Sequence, residues 1–302
     1  MCQRGVMALT GAWRRERDDL LRGVSGGMLV GVPLLYTMEI WWRGSELGPG
    51  LMALMVVITL VPVTGLIATT GFRRTRDRGA LQVGMDVLDA MALATVCVFA
   101  AVLVVGAIHL GGPLHLMAGT VVAELAPFAI GVALASVVFA SGDDGDDGGG
   151  GGGHSVDAGS TPSTGGDERP LNRTIADLGG TVVGAAIVGL SIAPTDEVPM
   201  LAAGRTPLGL LAIVGFSLII SYVIVFEAGF GQQDARTTHQ GLFQHPVTET
   251  VASYLVALVV AAVMLAFFGR IRFDDPLRLL ADHVVVLGFP ACVGGAAGRL
   301  AV

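Results

Sequence analysis

The chain has 302 residues, of which 53% are hydrophobic and only 14% charged, with a mean hydropathy of +0.71. A soluble domain carries about a quarter charged residues, so this is the composition of a membrane protein. The net charge of −7 is local: residues 141–168 hold seven acids and no arginine, while the remaining 18 acids balance 18 basic residues, all of them arginine. No basic patch on a soluble face is indicated, which argues against a nucleic-acid partner.

Crossing a bilayer core takes roughly 20 apolar residues. Eight segments reach that length, at about 21–42, 50–71, 85–110, 115–140, 174–194, 206–229, 248–268 and 277–301. Lipid offers no partner to unpaired backbone groups, so such segments are helices. The alternating strands of a membrane barrel are absent. The expected fold is therefore all-α, a polytopic protein of eight transmembrane helices.

The N-terminal segment, 1–20, precedes a long apolar run and contributes four of the five arginines Arg4, Arg14, Arg15, Arg17 and Arg22. That run is too long for a cleavable signal and reads as an uncleaved signal-anchor. Arginines near the spans set orientation. Thirteen fall on the side of the N-terminus, and five (Arg43, Arg205, Arg270, Arg272 and Arg278) on the other. Both termini are expected in the cytoplasm of a cell whose inner membrane holds the protein.

The first span ends in "VPLLYTMEIWW" (32–42), an oily run carrying Glu39. On one continuous helix Glu39 lies near the outer end, Trp41 and Trp42 form an aromatic interface anchor, and Glu39 can pair with Arg43 at a spacing of four. Glu39 is then either an interfacial acid reaching water or an acid at the outer mouth of a cavity. Asp86 and Asp89 are read at the start of the third span and Glu249 at the start of the seventh. As acids at helix N-termini they complement the dipole, and Asp86 and Glu249 are also candidates for a gate.

Glu124 lies well inside the fourth span, three residues before Pro127. A charge at that depth costs several kcal/mol, about 2.5–3.5 on insertion scales. Pro127 leaves the Ala123 carbonyl without its helical donor, and Pro290 does the same for Val286. An acid beside a freed carbonyl suits a cation or proton site. One turn from Glu124 stands Thr120, whose counterpart in the eighth span is His283, preceded by Asp282. Glu124, Asp282, His283, Glu39, Asp86 and Glu249 are the candidate ion or solute pathway. A structural hydrogen-bond network is the other reading.

Residues 141–172 form a Gly-, Asp- and Ser-rich stretch expected to be a disordered cytoplasmic linker. It divides the chain into 21–140 and 173–302, and the two parts match. "GGMLVG" (26–31) answers "GGTVVG" (179–184). Pro49 precedes Gly71-Phe72 by 22 residues, as Pro207 precedes Gly229-Phe230. Asp86 stands 27 residues before Pro113, as Glu249 stands before Pro276. "PLHLMAGTVVAELAP" (113–127) then lines up without a gap on "PLRLLADHVVVLGFP" (276–290), and Gly106 and Ile108 fall on Gly269 and Ile271 in the same register. Two tandem four-helix repeats are expected, parallel because four is even. Gly23, Gly27 and Gly31 recur every four residues, as do Gly180 with Gly184 and Gly294 with Gly298. That spacing lets helix backbones approach closely in lipid.

Three separated cysteines give no disulfide framework, and the histidine spacings give no metal site. No Walker loop, HExxH, GxSxG or dinucleotide fingerprint occurs, so no catalytic residue and no cofactor is assigned. Beyond the bilayer, the partners left open are an unidentified small solute or ion, a second copy, or another protein. "RGVSGGMLVGVPLLYTMEIWW" (22–42), "TGF" (70–72) and "DDPLRLLADHVVVLGFPACVGGAAGRL" (274–300) resemble an uncharacterised family of prokaryotic integral membrane proteins. The likeness covers 20–140 and 170–302 and implies topology, with no catalytic or binding residue. The expected function is a transporter or channel for a small solute or ion, proton-coupled if Glu124 titrates. The alternative is a membrane-embedded sensor or assembly protein acting through a partner.

Overall fold

A computed structural model describes residues 2–70, 80–140, 170–227, 246–272 and 274–301. Residues 141–169 of the acidic linker, the two Gly-Phe pairs, His239 and His245 lie outside the described residues, while 170–172 open a helix. Ten α-helices are described: α1 (Cys2–Leu35), α2 (Met38–Glu46), α3 (Pro49–Thr70), α4 (Ala80–Val105) and α5 (Leu114–Ala140), then α6 (Pro170–Ile192), α7 (Glu197–Ala203), α8 (Pro207–Tyr222), α9 (Pro246–Phe267) and α10 (Leu277–Leu300). A π-helical turn, Val223–Glu227, continues α8. Proline opens α3, α6, α8 and α9, a position where its missing N–H costs nothing and its fixed φ suits the helix. At α8 the Thr206 hydroxyl adds a cap, accepting from the Gly209 N–H at 3.1 Å.

Six helices are long and apolar enough to cross a membrane, or up to eight if each of two bent pairs is one span. The first bent pair joins Glu16–Leu35 to α2 at 91°, the second joins Ala176–Ile192 to α7 at 87°. The continuous first helix expected over 21–42 is thus broken, whereas the fifth, expected over 174–194, runs whole to its bend and α7 is added beyond it. At the first break Tyr36 and Thr37 leave the helix, with Thr37 at φ −115° and ψ 95°. At the second, Pro194 interrupts the run, since it has no N–H to continue the ladder.

The centre of the bundle is glycine-lined. α1 packs most intimately on α5, and α6 on α10. A Cβ on Gly26 would overlap the Gly131 carbonyl and the Ala135 methyl; one on Gly184 would overlap Gly294, and one on Gly298 would overlap Gly180. Gly23 faces Leu93 and Val132, Gly27 faces Val132, and Gly31 receives the ring of Phe128. Close approach of this kind multiplies dispersion contacts where lipid supplies no hydrophobic drive. Accordingly 67% of the α10 span and 61% of the α5 span are buried, against 17% of the α3 span, which faces outward with Val57, Ile58 and Val61.

Two left-handed glycines end α4 and α9. Gly106 (φ 76°) follows α4 and Gly269 (φ 69°) follows α9. Around the first, the Ala107 N–H reaches the Val102 carbonyl at 2.9 Å and the Gly106 N–H reaches Leu103 at 3.1 Å. Around the second, Arg270 reaches Leu265 at 2.8 Å and Gly269 reaches Ala266 at 3.1 Å. Both are Schellman terminations, in which only glycine takes the left-handed position without strain.

Candidate functional site

The bend at Tyr36 lays α2 across α5. Trp41 and Gly44, three residues apart, form the buried face of α2, and Gly44 meets the backbone of Gly119 and Thr120. That contact brings Trp41 over Glu124, one turn beyond Thr120. Glu124 has no exposed surface, and neither of its carboxyl oxygens makes a hydrogen bond. The Trp41 indole N–H is within electrostatic reach of the carboxyl without reaching hydrogen-bond geometry. Trp41 is therefore not the interface anchor expected: it is 6% exposed, while its neighbour Trp42 is 57% exposed.

On the other side of Trp41 lies a partly open cavity of about 450 Å³. α2 gives it Trp41, Trp42 and Ser45; α5 gives Leu116, Met117 and Thr120; the loop after α4 gives Ile108 and His109; α7 and its exit give Met200, Leu201, Gly204 and Arg205. Trp41 and Thr120 thus line the side nearest Glu124. Among the described residues no acid lines the cavity. The Arg205 guanidinium donates to the carbonyls of Val104 (3.4 Å) and Gly106 (3.3 Å), and its Nε is buried without a partner.

The model of a family described as "Putative integral membrane protein (DUF2391)" matches residues 19–302. The chain belongs to that family. No curated protein and no solved structure matches it. Family membership carries integral membrane residence and assigns no activity, so chemistry is read from the family member's own interior.

The other sequence-chosen residues scatter. Glu39 is exposed, and Arg43 turns to Glu46 (3.8 Å) instead of Glu39, because the break at Tyr36 starts a new short helix. Asp86 is not in a first turn: α4 starts at Ala80, which puts Asp86 two turns inside, 2% exposed, while Asp89 is exposed. The N-terminal dipole therefore does not explain Asp86. Asp282 lies 3.9 Å from Arg278 on its own helix. His283 is buried with Nδ1 unpartnered. Neither Asp282 nor His283 makes a hydrogen bond or ion pair with Glu124 among the described residues. Glu249 does sit in the first turn of α9, where it is bonded to Arg299.

Arg299, 1% exposed, is the largest buried cation among the described residues. Besides Glu249 it donates to the Ser253 hydroxyl at 3.1 Å and lies 5.7 Å from the centre of the Phe226 ring. Further along α10 the Cys292 thiol donates to the Ser217 carbonyl at 3.6 Å, and Tyr254 stands beside both. Tyr36, itself in electrostatic reach of Tyr254 and Arg205, donates to the Val286 carbonyl at 2.6 Å. This is the carbonyl that Pro290 deprives of its helical donor. A file of polar groups thus runs from Arg205 through Tyr36, Tyr254 and Cys292 to the Glu249–Arg299 pair.

Sequence reasoning passed over Arg205, Arg299 and Glu197. Glu197, in the first turn of α7, is 6% exposed with Oε2 unpartnered. Its signal was present: "TDE" (195–197) stands ten residues before Pro207, as "TME" (37–39) stands before Pro49. Among the described residues no group of three metal-ligating side chains occurs.

Proposed function

We propose that the protein is a transporter for a small solute or ion, with Glu124 as its proton-carrying group. One observation carries the reading: a fully enclosed carboxyl without a hydrogen bond stands behind one tryptophan from a partly open cavity. An unpaired acid in the hydrocarbon is expensive, and packing does not require it here. In the gapless match of 113–127 with 276–290 the same position is Leu287, also fully buried. A leucine fills such a place at no polar cost; a carboxyl kept there suits a group that takes and releases a proton.

The architecture of the proposal is eight spans in two parallel units, 21–140 and 173–302, joined by the acidic linker, with each bent pair counted as one span. Three correspondences support it: breaks in the first and fifth spans, paired left-handed glycines with the same hydrogen-bond pattern, and glycine crossings of α1 with α5 and α6 with α10. The cavity lies where α2 and α5 of one unit meet α7 of the other, the kind of place where transporters built from repeats bind their substrates, beside broken helices. By arginine distribution it opens away from a cytoplasm that holds both termini.

The test is flux. Purified protein in liposomes is given a proton gradient, and internal pH is followed with a trapped dye. Wild type is expected to dissipate the gradient and Glu124→Gln to lose at least nine tenths of that rate while eluting as the same folded species. Full flux in the variant removes Glu124 from the pathway. Absence of flux in the wild type, with or without added solutes, removes the transport reading.

A further inference from the structure

The cavity carries information about its ligand beyond its size. At about 450 Å³ it is within the range of metabolite-sized sites. Its lining has one permanent charge, Arg205, and no carboxylate to neutralise it. Arg205 also makes no ion pair with any other described residue. The bland account is a cation on the C-terminal carbonyls of α4, a favourable place for it. That account uses only two of the five guanidinium N–H groups, through contacts of 3.3 and 3.4 Å. Nε remains buried without an acceptor, so the charge is left under-satisfied by its own surroundings. The two hydroxyls available to a ligand are committed as donors: Ser45 bonds the Trp42 carbonyl (2.8 Å) and Thr120 the Leu116 carbonyl (3.1 Å). Their remaining capacity is to accept, so charge recognition falls to Arg205. The same lining includes the tryptophans of α2 with Leu116 and Met117.

We propose that this cavity binds a small organic anion, its carboxylate paired with Arg205 and its apolar body against Trp41 and Trp42. The site takes a monocarboxylate with a flat or branched hydrocarbon body, and disfavours a cation of the same shape, which would meet Arg205 with no acid nearby. Gly106 belongs to the site, because any side chain there would occupy the space of the Arg205 guanidinium. The inference rests on reading the cavity as the solute's docking place, but it is tested by binding and not by flux.

The experiment is equilibrium dialysis of the full chain in detergent against radiolabelled benzoate, with unlabelled benzyl alcohol and benzylammonium as competitors of like shape. Saturable benzoate binding is expected, displaced by benzoate and only weakly by the neutral and cationic analogues. Arg205→Gln is expected to weaken it by about tenfold or more, the worth of one charge-assisted pair, and Arg205→Lys by less. Should Arg205→Gln fail to fold, Trp42→Ala serves: this side chain is 57% exposed, and its loss is expected to weaken benzoate several-fold without affecting the thermal transition. Equal competition by benzyl alcohol, unchanged affinity in Arg205→Gln or Trp42→Ala, or no saturable binding would overturn the anion site. Binding without flux sinks the transport reading and keeps this one; flux without benzoate binding does the reverse.

Discussion

In the first half of the chain the deepest carboxyl, Glu124, is enclosed by apolar neighbours and one indole and makes no hydrogen bond. In the second half the carboxyl of Glu249 holds a guanidinium, Arg299, which is almost wholly buried and also bonds Ser253. In the proposed repeat the positions correspond crosswise: where the first unit has Glu124 the second has Leu287, and where the second has Arg299 the first has Ser136. Buried charges are ordinarily paired, and Glu249 with Arg299 obeys that rule. Glu124, beside the cavity, departs from it with both carboxyl oxygens. A departure from packing logic is where function is to be sought.

The comparison is most easily broken at the pair. Glu249→Gln removes the carboxylate that Arg299 bonds in the interior, and loss of one partner of a buried pair costs roughly 3–5 kcal/mol. A clear fall in the detergent melting transition is expected, and an unchanged transition would mean that the pair is incidental. Glu124→Leu should act in the opposite sense. It removes a buried unsatisfied group worth about 1–3 kcal/mol and restores the residue type of position 287, so the transition should rise while any proton flux disappears. A fall on Glu124→Leu would assign Glu124 a structural partner and erase the contrast.

The smallest expected effect separates the two left-handed glycines. Gly269→Ala meets nothing within 4 Å, so it should cost only the backbone strain of about 1–2 kcal/mol. Gly106→Ala carries the same strain and must also displace Arg205. Its transition should therefore fall further, and it alone should impair benzoate binding. Equal behaviour of the two variants in both measurements would detach Arg205 from the cavity's function.

The all-helical membrane class was legible because hydropathy alone forces it. The close helix crossings were legible in part, through glycines spaced by four. Neither break was read. Tyr36 and Thr37 are too few to interrupt a run that remains apolar over a full span length, and Pro194 fell at the expected end of its span. The site suffered from this directly, since a straight first helix places Trp41 at the interface and hides its position over Glu124. Arg205 and Arg299 were counted only as topology signals. Their partners, Val104 and Gly106 for one and Glu249 for the other, lie about 50 to 100 residues away, and no local pattern announces them. Glu124 could be singled out because an acid in an apolar run is conspicuous by itself, whereas a cavity wall is assembled from four elements.

The Tyr36 hydroxyl bond to Val286 spans 250 residues, and it bears on the order of assembly. Helices enter the bilayer in sequence as they are synthesised, so α1 must be inserted and α2 bent over before the acceptor in α10 exists. Until then the bend lacks its tether and the Pro290-freed carbonyl is still unmade. Maturation of the N-terminal half is therefore a late event, completed only when the C-terminal helix docks. A ribosome-stalled chain ending before α10 should hold Tyr36 open to labelling that the full chain resists.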